Sequence, residues 1–190
     1  MRKLFSATLA TAALVLFSPG VASAQPKDFQ ILKDVATSVD RYTQFTIFDD
    51  VSAQVKDGVV TLTGKVTMPY KRSDIVNRIT KIDGVTTVRD QIGVLPVSQF
   101  DDELRYRISR SIYGNSTFWN YAIMPNPPIH IVVEHGRVTL TGVVQSNVER
   151  MLARSLASGF GAFAVTNALK TDAEVRESME PRRSDEAVRP

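Results

Sequence analysis

Within its 190 residues the chain states one motif twice. Asp57-Gly58-Val59-Val60-Thr61-Leu62-Thr63-Gly64 stands against His135-Gly136-Arg137-Val138-Thr139-Leu140-Thr141-Gly142, 78 residues apart (136 − 58). A shared Gly-x-Val-Thr-Leu-Thr-Gly inside one chain marks a duplicated module, and the architecture must be built from two copies of one unit.

The residues around the motif define that unit. Ile31, Leu32, Val35 and Val39 recur at helical spacing behind Asp28, as Leu104, Ile108 and Ile112 do behind Asp101, Asp102 and Glu103. Acids in a first turn suit the positive end of a helix dipole. Ile31, Val35 and Val39 align with the second set at a shift of 73 (104 − 31). Val51, Ala53 and Val55 then alternate with Ser52, Gln54 and Lys56, and Ile129, Ile131 and Val133 with His130, Val132 and Glu134, which is the period of a strand with one buried face. Asp57-Gly58 and His135-Gly136 mark tight turns, with Gly58 and Gly136 free to take positive φ. Val60 and Leu62, and Val138 and Leu140, return toward the core. Gly64 and Gly142 are expected where those strands bend away. A second helix follows in each copy, with Ile75, Val76, Ile79 and Ile82 against Val148, Met151, Leu152 and Leu156. A closing strand carries Val88, Asp90 and Ile92 against Val165, Asn167 and Leu169.

The expected fold is therefore α+β: tandem α-β-β-α-β modules over 28–96 and 99–170, each a three-stranded sheet covered on one face by two helices. Modules of roughly 70 residues bury only about 60% of their extended surface, so each core is thin. The other sheet face carries threonines and charges and is either wet or docked. The short Pro96-Val97-Ser98 joint predicts that the modules touch.

The ends read differently. Arg2 and Lys3, an uncharged apolar run from Leu4 to Phe17, and Ala22-Ser23-Ala24 form a secretory signal peptide over 1–24, cut after Ala24. Its apolar run falls short of the roughly 20 residues that span a bilayer. The expectation is an exported chain. With no cysteine, it uses neither disulfides nor a lipidated N-terminal cysteine. Removing Arg2 and Lys3 from 23 basic residues leaves 21 against 20 acidic ones, a net charge of +1, so no nucleic-acid partner is expected. Residues 171–190, rich in Glu, Arg, Ser and Pro, read as a disordered tail.

The copies differ where the shift rises from 73 to 78. The segment from Tyr113 to Pro128 holds five extra residues and the only tryptophan, and its prolines oppose helix. Two readings stand side by side. In one, Phe118 takes the place of Phe45 in the core and Trp119 caps the module edge. In the other, Phe118, Trp119 and Tyr121 form an exposed interfacial loop, since tryptophan and tyrosine favour the boundary between water and hydrocarbon. Tyr106, Arg110 and Tyr113 lie at i, i+4 and i+7 on the adjoining helix, with Arg107 beside them, a face able to approach anionic headgroups. Lys71, Arg72, Arg78 and Lys81 read as a solvated face.

No arrangement for catalysis, cofactor or metal emerges. His130 and His135 fall on opposite faces of a strand, and there is no G-x-S-x-G elbow, Walker loop or dinucleotide fingerprint. The expectation is a protein that is not an enzyme and holds no cofactor.

The glycine-bounded hairpins and the closing Val165-Thr166-Asn167-Ala168-Leu169 resemble the BON domain family (bacterial OsmY and nodulation), over about Asp28 to Lys170. Asp90 and Ile92 stand in copy one for that asparagine and leucine. The resemblance implies a periplasmic place, envelope maintenance or osmotic stress, and binding to anionic phospholipid. In one dual-BON lipoprotein group the first helix of the second module and its flank touch the membrane. The matching residues here are Tyr106, Arg107, Arg110, Tyr113, Phe118 and Trp119. The absent lipidated cysteine implies reversible contact. The alternative is a periplasmic stress chaperone or protein-interaction module, with a small-ligand or ion sensor ranked below both. Oligomeric state is left open.

Overall fold

The computed structural model describes residues 27–179; the expected signal peptide over 1–24 and residues 180–190 lie outside the described residues. Module 1 runs α1 (Lys27–Asp40), β1 (Asp50–Lys56), β2 (Val59–Val66), α2 (Pro69–Ile79) and β3 (Thr87–Val94). Module 2 runs α3 (Gln99–Tyr113), α4 (Trp119–Ala122), β4 (Ile129–Glu134), β5 (Arg137–Val144), α5 (Asn147–Ala157), β6 (Ala164–Asn167), β7 (Lys170–Thr171) and α6 (Asp172–Met179). The tandem α-β-β-α-β plan is present in both.

Each sheet has the same topology. The first two strands form an antiparallel hairpin, and the third lies parallel to the second after a helical crossover. β5 is the central strand of module 2, with β4 on one side and β6 then β7 on the other. The hairpins turn on two residues with φ of 53° and 75° (Asp57, Gly58) and 51° and 71° (His135, Gly136). Two successive positive φ values match the right-handed twist of the flanking strands.

Gly64 and Gly142 do not end their strands. β2 and β5 continue to the buried Val66 and Val144, and the glycines take φ of 119° and 109° where the main chain at the start of the neighbouring strand crosses. A Cβ there would lie 2.1 Å from the Asp50 carbonyl oxygen and 1.8 Å from that of Pro128. Only glycine permits that approach.

The cores are separate. Ile31, Val35, Val60, Leu62, Val66, Ile75, Ile79 and Ile92 form one. Leu104, Ile108, Ile112, Ile129, Ile131 and Leu140 centre the other, with Phe118 inside it. The expected tail begins too early: Thr171 and Glu174 form a capping box. Thr171 Oγ accepts from the Glu174 N–H at 3.3 Å, while the Glu174 carboxylate accepts from the Thr171 N–H at 2.8 Å. Arg150 of α5 donates to the same carboxylate at 2.8 Å, tying α6 to the module.

Candidate functional site

Two carboxylates in equivalent positions fix each hairpin. Asp28 accepts from the N–H groups of Asp57 and Gly58 at 2.8 and 2.9 Å. Asp101 accepts from those of His135 and Gly136 at 2.8 and 2.7 Å and is fully buried. The two positive-φ residues turn their N–H groups to one side, forming a small anion nest that each acid fills from its own first helix. Asp90 and Asn167 form a second matched pair. Each side chain accepts from the N–H two residues on, at Ile92 or Leu169. Asp90 also receives Arg72 of α2, and Asn167 donates to the Arg150 carbonyl of α5.

The module junction is built on residues 45–50. Ile131 N–H donates to the Ile47 carbonyl at 2.7 Å, so module 1 supplies main chain to the open edge of β4. His130 Nδ1 lies 2.6 Å from the Asp49 carbonyl oxygen. A carbonyl only accepts, so Nδ1 carries the proton. Lys65 pairs with Glu134 at 2.9 Å, and Asn126 donates to the Asp40 carbonyl at 2.6 Å. The modules touch, as the short joint predicts, and module 1 covers part of the β4 side of the second sheet.

Asp49 holds this segment in shape. Its buried carboxylate accepts from Thr46, from Thr67, and from Lys71 Nζ at 2.6 Å. Burial alone would raise its pKa, but the Lys71 ammonium and the threonine donors outweigh it and hold the carboxyl below its usual range. Lys71 is therefore no solvated side chain. Nor is Arg78 free, since its guanidinium stacks 4.7 Å from the Tyr42 ring centroid.

The structure divides the residues singled out on module 2. Tyr106, Arg107, Arg110 and Trp119 are exposed. Tyr106 also meets Phe48 of module 1 edge-on at 5.3 Å, so one side of its ring belongs to the junction. Arg107 pairs with Glu103 at 3.3 Å, whereas Arg110 has no ion pair among the described residues. Phe118 is 0% exposed and cannot face a membrane without unfolding the core. Tyr113 turns inward. Its hydroxyl donates to the Ile129 carbonyl at 2.6 Å and accepts from the Ile129 N–H at 3.1 Å, and burial raises its pKa. Tyr121 is buried too, with its hydroxyl on Glu149 at 2.8 Å. Burial first, then that carboxylate, push its pKa up to about 12.

The segment expected to resist helix forms a 3-10 turn, Ser116–Phe118, followed directly by α4. Asn115 caps the turn through the Thr117 N–H, and the prolines fall after the helix. Trp119 opens α4 and Ile123 caps its end, i and i+4; they stand 62% and 83% exposed, with Met124 next in the chain. Ile123 and Met124 escape the sequence reading, although Trp-x-x-x-Ile after a cap is a helical apolar pair. The resulting tip is apolar and follows directly on the end of α3, whose last turn carries the unpaired Arg110. Chemically it can insert into an apolar phase. Among the described residues no three metal-ligating side chains gather, and no helix is long and apolar enough to cross a membrane.

A family model described as BON domain matches residues 27–96 and again 118–173. The second match begins at Phe118, so α3 lies outside it, yet Leu104, Ile108 and Ile112 cover the second sheet as Ile31, Val35 and Val39 cover the first. No curated protein matches the chain. Among solved structures, one of CdsD, a structural protein of the type III secretion system of Chlamydia trachomatis, is 14% identical. It covers 78% of this chain and 99% of its own, with a TM-score of 0.25. A structure of the CdsD C-terminal domain is 13% identical, covers 72% and 96%, and has the same TM-score.

Proposed function

This chain belongs to the BON domain family, an envelope-associated and generally non-catalytic family, and from that premise we propose that it is a periplasmic protein that binds anionic phospholipid surfaces reversibly through module 2. The observation that carries this reading is the α4 tip, where Trp119 and Ile123 project side by side into solvent. Large apolar side chains left mostly exposed are favoured by transfer to hydrocarbon, by up to about 1.5–3 kcal/mol each when fully buried. Arg110, and Arg107 if it exchanges Glu103 for phosphate, add about 1 kcal/mol each at an anionic surface. The sum supports peripheral contact and falls well short of permanent anchoring. Module 1 is scaffold in this reading, because it holds β4 and one side of Tyr106 in place.

Co-sedimentation of the mature chain with vesicles of graded phosphatidylglycerol content tests it. Association rises with anionic content and is abolished by combining Trp119→Ala, Ile123→Ala and Arg110→Glu. Association unchanged by those substitutions, or absent at every charge density, refutes the reading. A protein-interaction role is the second reading. It draws on Phe100 and Phe163, which stack 6.1 Å apart on the surface over the second hairpin turn. Protection of a denatured client from aggregation, without vesicle binding, favours that alternative.

A further inference from the structure

Module 1 has an apolar groove beside its first helix. The cavity has a volume of about 260 Å³ and lies between α1 and β1. No residue of β2, β3 or α2 lines it, so it lies at the β1 edge of the sheet, with Phe45, and His130 of module 2, forming part of its wall. The two copies explain why it exists. Val35, Val39, Val51 and Ala53 line it where module 2 has Ile108, Ile112, Ile129 and Ile131, all four fully buried. Three positions lack one carbon and the fourth lacks three. Leu32, 37% exposed on the wall of the groove, stands where module 2 has Arg105. Arg105 is buried across its own sheet edge and donates to the Val133 carbonyl. Space that module 2 fills with side chains is open in module 1.

The two sheet edges differ in the same sense. The β4 edge receives main chain from module 1 through Ile47. β1 pairs with β2 alone. β4 touches one part of β1, but the outer ladder of β1 has no strand partner, and an unpaired edge beside an apolar groove has the two elements that strand addition uses: a main-chain ladder for affinity and a pocket for alternate side chains. The rim adds a third. Asp40 and Asp50 line the groove, and neither has an ion pair among the described residues. Two free carboxylates repel a fatty-acid carboxylate or an anionic headgroup and attract a cation. A hydrocarbon chain would also leave the β1 edge without main-chain partners. His130 joins the groove to the module junction, so an occupant there would abut an interface already formed by main-chain contact.

We propose that module 1 binds an extended peptide segment as an added strand along β1, with apolar side chains at alternate positions entering the α1–β1 groove and a basic residue meeting Asp40 and Asp50. This activity is independent of the membrane-facing tip on module 2.

The test uses the mature chain and the fluorescein-labelled peptide Lys-Val-Thr-Val-Thr-Val-Thr, with a control of the same composition in an order that breaks the alternation. The alternating peptide binds and the control binds at least about tenfold more weakly. Amides of β1 that exchange freely in the unbound chain become protected. Combining Leu32→Arg with Ala53→Ile, which copies the packing of module 2, weakens binding by about tenfold or more. Combining Asp40→Asn with Asp50→Asn, confined to the rim, makes the remaining binding insensitive to salt. Trp119→Ala with Ile123→Ala leaves peptide binding unchanged. Equal affinity for the control peptide, full affinity in the filled-groove variant, or no binding of the alternating peptide overturns the proposal. So does competition by decyltrimethylammonium without protection of β1 amides, which would make the groove a hydrocarbon site.

Discussion

Replacing Asp101 with alanine tests the clamp that joins each first helix to its hairpin, and Asp28→Ala provides an internal control. A hydrogen bond to a charged group contributes about 1.5–3 kcal/mol, and each acid accepts two from turn N–H groups. The two turns are alike, with Gly58 and Gly136 buried and Asp57 and His135 exposed, but Asp101 is fully buried, so removing it strands the Gly136 donor away from water. The expected loss at Asp101 is about 3–5 kcal/mol, a large share of the 5–15 kcal/mol that holds a typical domain folded. Asp28 is only half-buried, so water replaces part of what it supplies. The expected loss there is about 1–2 kcal/mol. Urea unfolding of the mature chain, followed by the fluorescence of Trp119 for module 2 and by amide exchange at Gly58 and Gly136 for each turn, measures both. Equal losses in the two variants, or losses below about 0.5 kcal/mol in both, would refute the clamp.

Four further outcomes follow from other contacts. Lys71→Met leaves the buried Asp49 carboxylate without its counter-ion and costs about 3–5 kcal/mol in thermal or urea unfolding. Because the folded-state pKa of Asp49 is depressed, its stabilisation is complete above the unfolded carboxylate value of about 3.9 and is lost as pH falls below it. Asp49→Asn flattens that acid limb of the stability profile. Tyr113→Phe removes a hydroxyl that both donates to and accepts from Ile129 and costs about 1–2 kcal/mol, with faster exchange of the Ile129 amide as its local sign. Thr171→Ala breaks the capping box and lowers stability by about 1 kcal/mol, seen as increased proteolysis within α6.

The fold was legible because duplication repeats every periodic signal. Ile31, Val35 and Val39 against Leu104, Ile108 and Ile112 fixed the first helices, and the paired Asp-Gly and His-Gly turns fixed the hairpins. The contacts made over distance were not legible. Asp28 and Asp101 read as acids at helix N-termini, and only the folded chain brings turns about 30 residues away onto them. Lys71 stands in a basic run that reads as solvated, and its burial depends on Asp49, 22 residues earlier. At the candidate site, Phe118 and Trp119 are neighbours with similar chemistry, and which one faces inward is set by the 3-10 turn between α3 and α4. The capping box of α6 was present in the sequence as Thr171-x-x-Glu174, but the polar composition around it masked the signal.

The most direct measurement exploits the single tryptophan. The emission of Trp119, 62% exposed in the folded chain, is recorded with phosphatidylglycerol vesicles and with phosphatidylcholine vesicles. The account predicts a blue shift and reduced quenching by iodide with the anionic vesicles alone, weakened by Arg110→Glu. An emission maximum unmoved by vesicles of either composition would contradict it.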